Sequence, residues 1–165
     1  MELRDAYDEY GNMLGFDLCR GEVLPLGVFH IVVDVLVQHE DTTYLVMQRD
    51  ARKEYCPLYY EASACGSVLK GETPLQGALR ELKEETGIEV SELMPLYQIV
   101  NHKKQTIYYG YKANVAIEKD QITLQDGETI AYQWVLPKDM GALLKREDYV
   151  PTQRERMSSY ILNYR

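Results

Sequence analysis

Apolar positions in this chain fall mostly into short runs separated by turn residues, which is the pattern of β-strands. The clearest run covers residues 29–38, which are dense in β-branched residues and numerous enough to lie centrally in a sheet. Residues 2–20 predict a β-hairpin, because the turn signal Gly11–Asn12 lies between two mixed runs. Further strands are predicted at residues 43–49, 62–69, 94–101, 105–117 and 129–137.

Helical spacing is strongest between Thr73 and Gly87. Thr73 is a good N-cap, Pro74 suits the first helical position, and Gly87 suits the residue that ends a helix. Four apolar residues of this segment share one arc and predict its core face: Leu75, Ala78, Leu79 and Leu82. A short helix is predicted from Pro137 and a final one from Pro151 to the C-terminus, so that helices pack on a mixed sheet.

The length of 165 residues suits a single domain with a real core, in which residues 1–22 form an N-terminal hairpin extension. The formal net charge of −8 argues against a protein that tracks a nucleic-acid backbone, so we expect no nucleic-acid partner. The edge strands of the hairpin could pair with a second copy in a homodimer.

The three cysteines form no CxxC pair, which argues against a disulfide framework or a zinc site and favours a reducing compartment. The N-terminus lacks the apolar core of a signal peptide, and the most apolar segment, residues 27–37, is too short to span a bilayer. We therefore expect a cytoplasmic protein without a membrane partner.

The candidate chemistry lies in 23 residues, Gly66 to Ile88, with the sequence GSVLKGETPLQGALRELKEETGI. Glu81, Glu84 and Glu85 fall on an arc of the predicted helix that differs from the apolar one, so three carboxylates crowd one patch. Like charges at this spacing repel by about 0.2–0.5 kcal/mol per pair, and a bound Mg²⁺ would reverse that repulsion. A solvated acidic face is the commoner meaning of such a helix. The capped start and the Gly-bounded loop carrying Glu72 favour a metal site instead.

This stretch resembles a complete Nudix box, the signature of hydrolases that cleave nucleoside diphosphates linked to another moiety. Every defining position is present: Gly66, Glu72, Arg80, Glu81, Leu82, Glu84, Glu85, Gly87 and Ile88. The resemblance implies an α/β fold, specifically an α/β/α sandwich with a mixed sheet. It also implies Mg²⁺- or Mn²⁺-dependent hydrolysis of a small-molecule diphosphate, but it does not identify that molecule.

The resemblance also implies roles for single residues. The metal ligands or catalytic base are Glu81, Glu84 and Glu85, with coordination completed by the carbonyl of Gly66. Arg80 is expected to pair with Glu72 and fix the loop against the helix, which is a structural role.

Outside the box, Glu128 is the best-placed further carboxylate for the metal, because it lies in a loop just before a predicted strand. A solvated loop acid is the alternative. Arg49, Arg52 and Lys53 lie in a loop that could cover a diphosphate, and arginine is well shaped for binding phosphate. For these cations the alternative is a solvated surface loop.

The regions flanking the box are similar to the isopentenyl-diphosphate isomerase branch of the same superfamily. Cys65 stands where those isomerases place their catalytic cysteine, and His30 matches one of their metal-binding histidines. However, Ser67 and Val23 occupy positions of further metal-binding histidines, and the strand at 105–117 lacks the isomerase's glutamate. Hydrolysis is therefore favoured, with Cys65 and His30 as packing residues. An isomerase-like enzyme using Cys65 and a non-catalytic ligand-sensing module are the alternatives.

Overall fold

The computed structural model describes residues 1–163, which form nine strands and three helices. In chain order they are β1 Leu3–Tyr7, β2 Met13–Cys19, β3 His30–His39, β4 Tyr44–Arg49, β5 Tyr60–Ala62, β6 Ala64–Ser67, α1 Pro74–Thr86, β7 Met94–Asn101, β8 Thr106–Val115, β9 Thr129–Val135, α2 Pro137–Leu144 and α3 Pro151–Leu162. The predicted strand at 62–69 corresponds to β6, whereas β5 begins at Tyr60, where a loop was expected. The last two residues of the predicted C-terminal helix, 164 and 165, lie outside the described residues.

The central strand of the large sheet is β3, as its length and β-branched composition predict. It pairs in parallel with β8 along its whole length and antiparallel with β6, where Val32–Val35 lie opposite residues 64–67. Strand β7 extends the sheet antiparallel to β8. Strand β4 joins β3 through the Gln38–Tyr44 pair and is itself flanked by β5 and β9. The sheet is therefore mixed, as expected.

Side chains of β3 alternate between two hydrophobic cores, because successive strand residues point to opposite faces. Val33 and Val35 pack on the face covered by α1, together with Leu82. Leu36 packs on the opposite face with Met140 of α2 and Met157 of α3. These two cores confirm the predicted α/β/α sandwich. Within residues 1–163, no helix has the length and hydropathy needed to cross a membrane.

The predicted N-terminal hairpin is present as the antiparallel pair β1–β2. Strand β1 is mostly buried and joins the rest of the fold through Tyr7 and Phe29, which exchange backbone hydrogen bonds of 2.9 and 2.8 Å. Strand β2 is mostly exposed, including Leu14 and Phe16. Pairing of this strand with a second copy stays a prediction.

Helix α1 begins and ends as predicted, but its buried face differs. The Gln76 amide donates to the Thr73 side chain (3.2 Å), the Thr73 amide donates to the Gln76 side chain (2.8 Å), and Gly87 adopts a left-handed φ of 76°. Leu75, expected in the core, is 42% exposed, because burial begins only at Gly77. The core-facing arc instead includes Glu85, whose carboxylate is buried against strand β6.

Candidate active site

Glu81 of α1 lies directly against the end of β6. A Cβ atom added at Gly66 would overlap the Glu81 carboxylate. Glycine at this position therefore lets a helix carboxylate approach the backbone of the strand, and it brings together two of the predicted metal-binding residues.

Arg80 ties the loop of the box to its helix. Its Nε and Nη2 donate to the two carboxylate oxygens of Glu72 at 2.7 and 3.0 Å, and Nη2 also donates to the Ser67 carbonyl at 2.9 Å. Its Nη1 donates to Glu81 at 2.7 Å and to Glu84 at 3.1 Å. The expected Arg80–Glu72 pair is thus present, and the same guanidinium also neutralises part of the negative charge on the helix.

The three glutamates of the box differ in exposure. The Glu84 side chain is 44% exposed and that of Glu81 is 12% exposed, whereas Glu85 as a whole is 4% exposed. Burial raises the pKa of Glu81, while Arg80 partly offsets that increase. The predicted acidic patch is therefore not a uniform surface but a series that runs from solvent into the protein.

Glu85 is the buried end of this series. Its Oε2 accepts a hydrogen bond of 3.2 Å from the Cys65 amide, and no lysine or arginine among residues 1–163 pairs with its carboxylate. Burial, followed by the nearby charges of Glu61 and Glu81, raises the pKa of Glu85 well above its ordinary value. A positive charge beside the Glu85 carboxylate would offset both the burial and the repulsion from Glu61 and Glu81.

These side chains line a cavity of about 400 Å³. Most of the residues predicted from the sequence lie along it: Arg49, Lys53, Gly66, Arg80, Glu81, Glu84, Glu85 and Glu128. Arg52 does not line it. The Arg52 side chain is 61% exposed and is held by hydrogen bonds to Asp50 (2.9 and 2.7 Å) and Asp126 (2.7 Å), so its local carboxylates direct it away from the candidate site.

The other two predicted phosphate-binding cations each have a carboxylate partner within the cavity wall. Arg49 donates to Glu61 at 2.8 Å and to the carbonyls of Tyr55 and Cys56. Lys53 pairs with Glu128. Glu128 contributes to raising the pKa values of Glu81 and Glu85, which places its carboxylate close to the box.

Two buried charged groups beside the cavity were not found from the sequence. Glu61 of β5 is 5% exposed and pairs with Arg49. Asp34 of β3 is fully buried and accepts hydrogen bonds from Arg156 of α3 (2.7 and 2.9 Å) and from the Tyr97 hydroxyl (2.7 Å). Asp34 could have been identified from the sequence, because it is a charged residue inside an apolar run.

Cys65 and His30, the two residues shared with the isomerases, have different environments. Cys65 lines the cavity, and burial together with the carboxylates of Asp34 and Glu61 raises the pKa of its thiol well above the usual value. The two ring nitrogens of His30 contact Arg4 and Thr106, both at 3.0 Å. Burial and the charge of Arg4 lower the pKa of His30 to about 4, so this ring is a neutral packing residue at neutral pH.

The cavity does not hold a preassembled metal cage. In the described part of the chain, no three histidine, cysteine, aspartate or glutamate side chains are grouped closely enough to hold an ion. The contacts of Arg80 with Glu81 and Glu84 explain this, because they turn two candidate ligands towards the guanidinium.

A family model described as the NUDIX domain matches residues 28–158. The chain belongs to the Nudix family. An uncharacterised Nudix hydrolase of Listeria monocytogenes is 30% identical over 151 residues, which cover 92% of this chain and 89% of that protein. The family and the enzyme class expected from the sequence, a Nudix pyrophosphohydrolase, are thereby confirmed.

Two further comparisons concern the fold and the isomerase branch. A crystal structure from Deinococcus radiodurans superposes on this Nudix protein with a TM-score of 0.78 at 17% identity, covering 99% of this chain and 100% of the other, and so supports the fold alone. An isopentenyl-diphosphate Delta-isomerase of Klebsiella pneumoniae is 25% identical over 114 residues, covering 64% of this chain and 60% of that enzyme. The predicted similarity to the isomerases is therefore confirmed.

Proposed function

We propose that this Nudix protein is a Mg²⁺- or Mn²⁺-dependent pyrophosphohydrolase that cleaves the diphosphate linkage of a nucleoside diphosphate derivative or a related small molecule. The observation that carries the proposal is Glu85, a buried carboxylate without a cationic partner in residues 1–163. Glu61, the other buried carboxylate of the cavity wall, is paired with Arg49. A carboxylate that is buried and unpaired is costly unless a ligand compensates its charge.

The donor atoms at the cavity suit a hard divalent cation, which prefers oxygen ligands. Glu81, Glu84 and Glu85 would hold the ion, with Glu128 and the Gly66 carbonyl as further donors. Rotation of Glu81 and Glu84 away from Arg80 would free their oxygens, while Glu72 keeps the guanidinium paired. When bound, such a cation neutralises phosphate charge and activates a water molecule for attack.

The chain's own residues would bind and orient the diphosphate. Lys53 carries three donor hydrogens, so it could contact a phosphate oxygen while remaining close to Glu128. Arg49 is held rigidly by Glu61 and two carbonyls, which keeps a positive charge fixed at the cavity wall. Arg52 is not included in this binding set, because Asp50 and Asp126 hold it outside the cavity.

The position of Cys65 favours isomerisation as the second candidate, because its side chain reaches the same cavity. That chemistry needs a histidine-rich metal site and an acid on the other face of the alkene. His30 does not line the cavity, and the cavity-lining residue of β8 is Tyr108 rather than a glutamate. These two differences are why hydrolysis is proposed first.

The test is a product-release assay of purified protein with Mg²⁺ and a panel of nucleoside diphosphate derivatives, dinucleotides and isopentenyl diphosphate. We expect hydrolysis of at least one diphosphate, and a loss of activity on the order of 100-fold or more when Glu84→Gln is combined with Glu85→Gln. Glu89→Gln is the matched control, since Glu89 pairs with Lys83 at the surface and lies outside the cavity.

Two results would count against the proposal. Full activity in the double variant would mean that the carboxylate site is wrong. Conversion of isopentenyl diphosphate to dimethylallyl diphosphate, lost in Cys65→Ala, would instead establish the isomerase.

A further inference from the structure

A second group of cavity residues lies outside the box and forms a connected chain of contacts. The Lys104 ammonium lies 5.1 Å from the centre of the Tyr55 ring, and the Tyr55 hydroxyl lies 3.4 Å from Thr152 Oγ1. Arg156 donates to the Thr152 carbonyl at 3.1 Å and stacks 3.8 Å from the Tyr108 ring. These five residues all line the cavity.

Six lysine and arginine side chains line the cavity: Arg20, Arg49, Lys53, Arg80, Lys104 and Arg156. Five of them form ion pairs with carboxylates of the protein. Lys104 is different: within residues 1–163 its ammonium contacts the Tyr55 ring and pairs with no carboxylate. The cavity therefore presents one cation whose charge the described chain leaves unneutralised.

The position of Lys104 is fixed by the turn between β7 and β8. Its amide donates to Asn101 Oδ1 at 2.9 Å, and its carbonyl accepts a hydrogen bond of 3.0 Å from the Thr106 hydroxyl. The Tyr55 ring then holds the ammonium at the cavity rim through a cation–π contact. Lys103, its neighbour in the same exposed turn, does not line the cavity.

We propose that Lys104 and Tyr55 form a subsite for an anionic group, a phosphate or a carboxylate, that the substrate carries beyond the diphosphate to be hydrolysed. The inference rests on the proposed function for the reaction, but the subsite itself is defined by binding. An ammonium at a cavity rim gains a charge-assisted hydrogen bond only from ligands that bring a negative group to it. Lys104 is thus a specificity-determining residue that separates anionic from neutral members of one substrate class.

The experiment compares two pairs of probe ligands that differ by a single anionic group. NADPH differs from NADH by a phosphate, and UDP-glucuronate differs from UDP-glucose by a carboxylate, so the two pairs distinguish the two anions. Dissociation constants are measured by calorimetry for the full chain, with Ca²⁺ replacing Mg²⁺ to slow turnover and chromatography to check that the ligands remain intact.

We expect the wild type to bind the anionic member of at least one pair about three- to tenfold more tightly, a preference that decreases with added salt. Lys104→Met should abolish the preference and leave the affinity for the neutral member within about twofold, because only the charge is removed. Lys103→Met is the matched control and should keep the preference. Tyr55→Phe should also keep it, because the ring that holds the ammonium remains.

Equal binding within both pairs, or a preference that survives Lys104→Met, would overturn the proposal. A parallel assay of Mg²⁺-dependent hydrolysis separates this result from failure of the proposed function. Hydrolysis without any preference removes the subsite alone, whereas a Lys104-dependent preference without hydrolysis of any diphosphate removes the function and leaves the subsite.

Discussion

Two buried carboxylates beside the same cavity, Asp34 and Glu85, differ in the partners that compensate their negative charge. Asp34 is fully buried and accepts three hydrogen bonds, two from Arg156 and one from Tyr97. Glu85 is almost as buried, yet its carboxylate accepts a single backbone hydrogen bond, from Cys65. Burying a charge is costly unless it is paired. Asp34 is compensated within the protein, whereas Glu85 is the carboxylate for which we propose a bound cation.

The two groups also belong to different layers. Asp34 connects the central strand β3 to α3, so its pair with Arg156 holds the last helix against the sheet. Glu85 is on α1, the helix of the Nudix box, on the other side of the sheet. Stability should therefore depend on the first carboxylate and activity on the second.

The largest effect on stability is expected from Arg156→Met. This change leaves Asp34 buried without its cation, and breaking such a pair costs roughly 3–5 kcal/mol in the free energy of unfolding. Urea denaturation followed by circular dichroism measures the loss. The double variant Asp34→Leu with Arg156→Met is the control, since it removes both charges and should recover much of that loss. A decrease below about 1 kcal/mol in the single variant would mean that the pair is not a structural anchor.

A smaller effect with the opposite sign is expected from Glu85→Gln in EDTA. Because burial raises the pKa of Glu85 in the folded state, stability is lost as the pH rises from the ordinary glutamate value through the raised one. A neutral side chain removes this loss, and we expect a gain of about 0.5–2 kcal/mol at neutral pH. Glutamine can still accept the hydrogen bond from Cys65.

Thermal unfolding with and without Mg²⁺ measures this second effect. Magnesium should raise the Tm of the wild type by binding the folded state and should raise that of Glu85→Gln less. Glu84→Gln serves as the control. The Glu84 side chain is 44% exposed, so the stability of this variant in EDTA should differ little from that of the wild type. If Glu85→Gln were destabilising in EDTA, the contrast with Asp34 would fail.

The sequence predicted the elements well, because their signals are local. The N-cap pair Thr73 and Gln76, the helix end at Gly87 and the β-branched run of β3 each specify structure within a few residues. The box residues were found through the resemblance of residues 66–88 to the Nudix motif, which is also a local pattern. What the sequence did not show is which way α1 turns its carboxylates. Leu75 is exposed and Glu85 is buried, the reverse of the environments expected, because burial of α1 begins only at Gly77 and its buried face includes Glu85.

Features that depend on distant segments were the ones missed or misplaced. Arg156 and Asp34 are in contact but are 122 residues apart in the sequence, and no local pattern connects them. Arg52 lies in the predicted loop but donates a hydrogen bond to Asp126, a residue that comes near only in the folded chain. Lys104 lies between the predicted strands 94–101 and 105–117, and only the folded chain brings it to the cavity.

At neutral pH the smallest effect is expected for His30, a half-buried group whose partners suit its neutral form. Its pKa of about 4 lies below the ordinary value, so the unfolded chain binds more protons between about pH 6.5 and 4. Stability should therefore fall as the pH is lowered through this window, and Tm measured against pH should fall less steeply in His30→Gln. His102→Gln is the control, because its side chain is 67% exposed. Equal slopes in both variants would remove His30 as a source of acid sensitivity.

Every hydrogen bond of the Arg80 side chain ends within residues 67–84, so the box is braced from inside. The loop that carries Tyr55 and the turn that carries Lys104 do not contribute to this bracing. Random libraries confined to Tyr55 and to the turn that carries Lys104 should therefore yield folded variants that keep the proposed diphosphate-binding residues while exploring new substrates. The fold thus places the residues of the box and the residues proposed to select the substrate in different segments, so that the second set can change without the first.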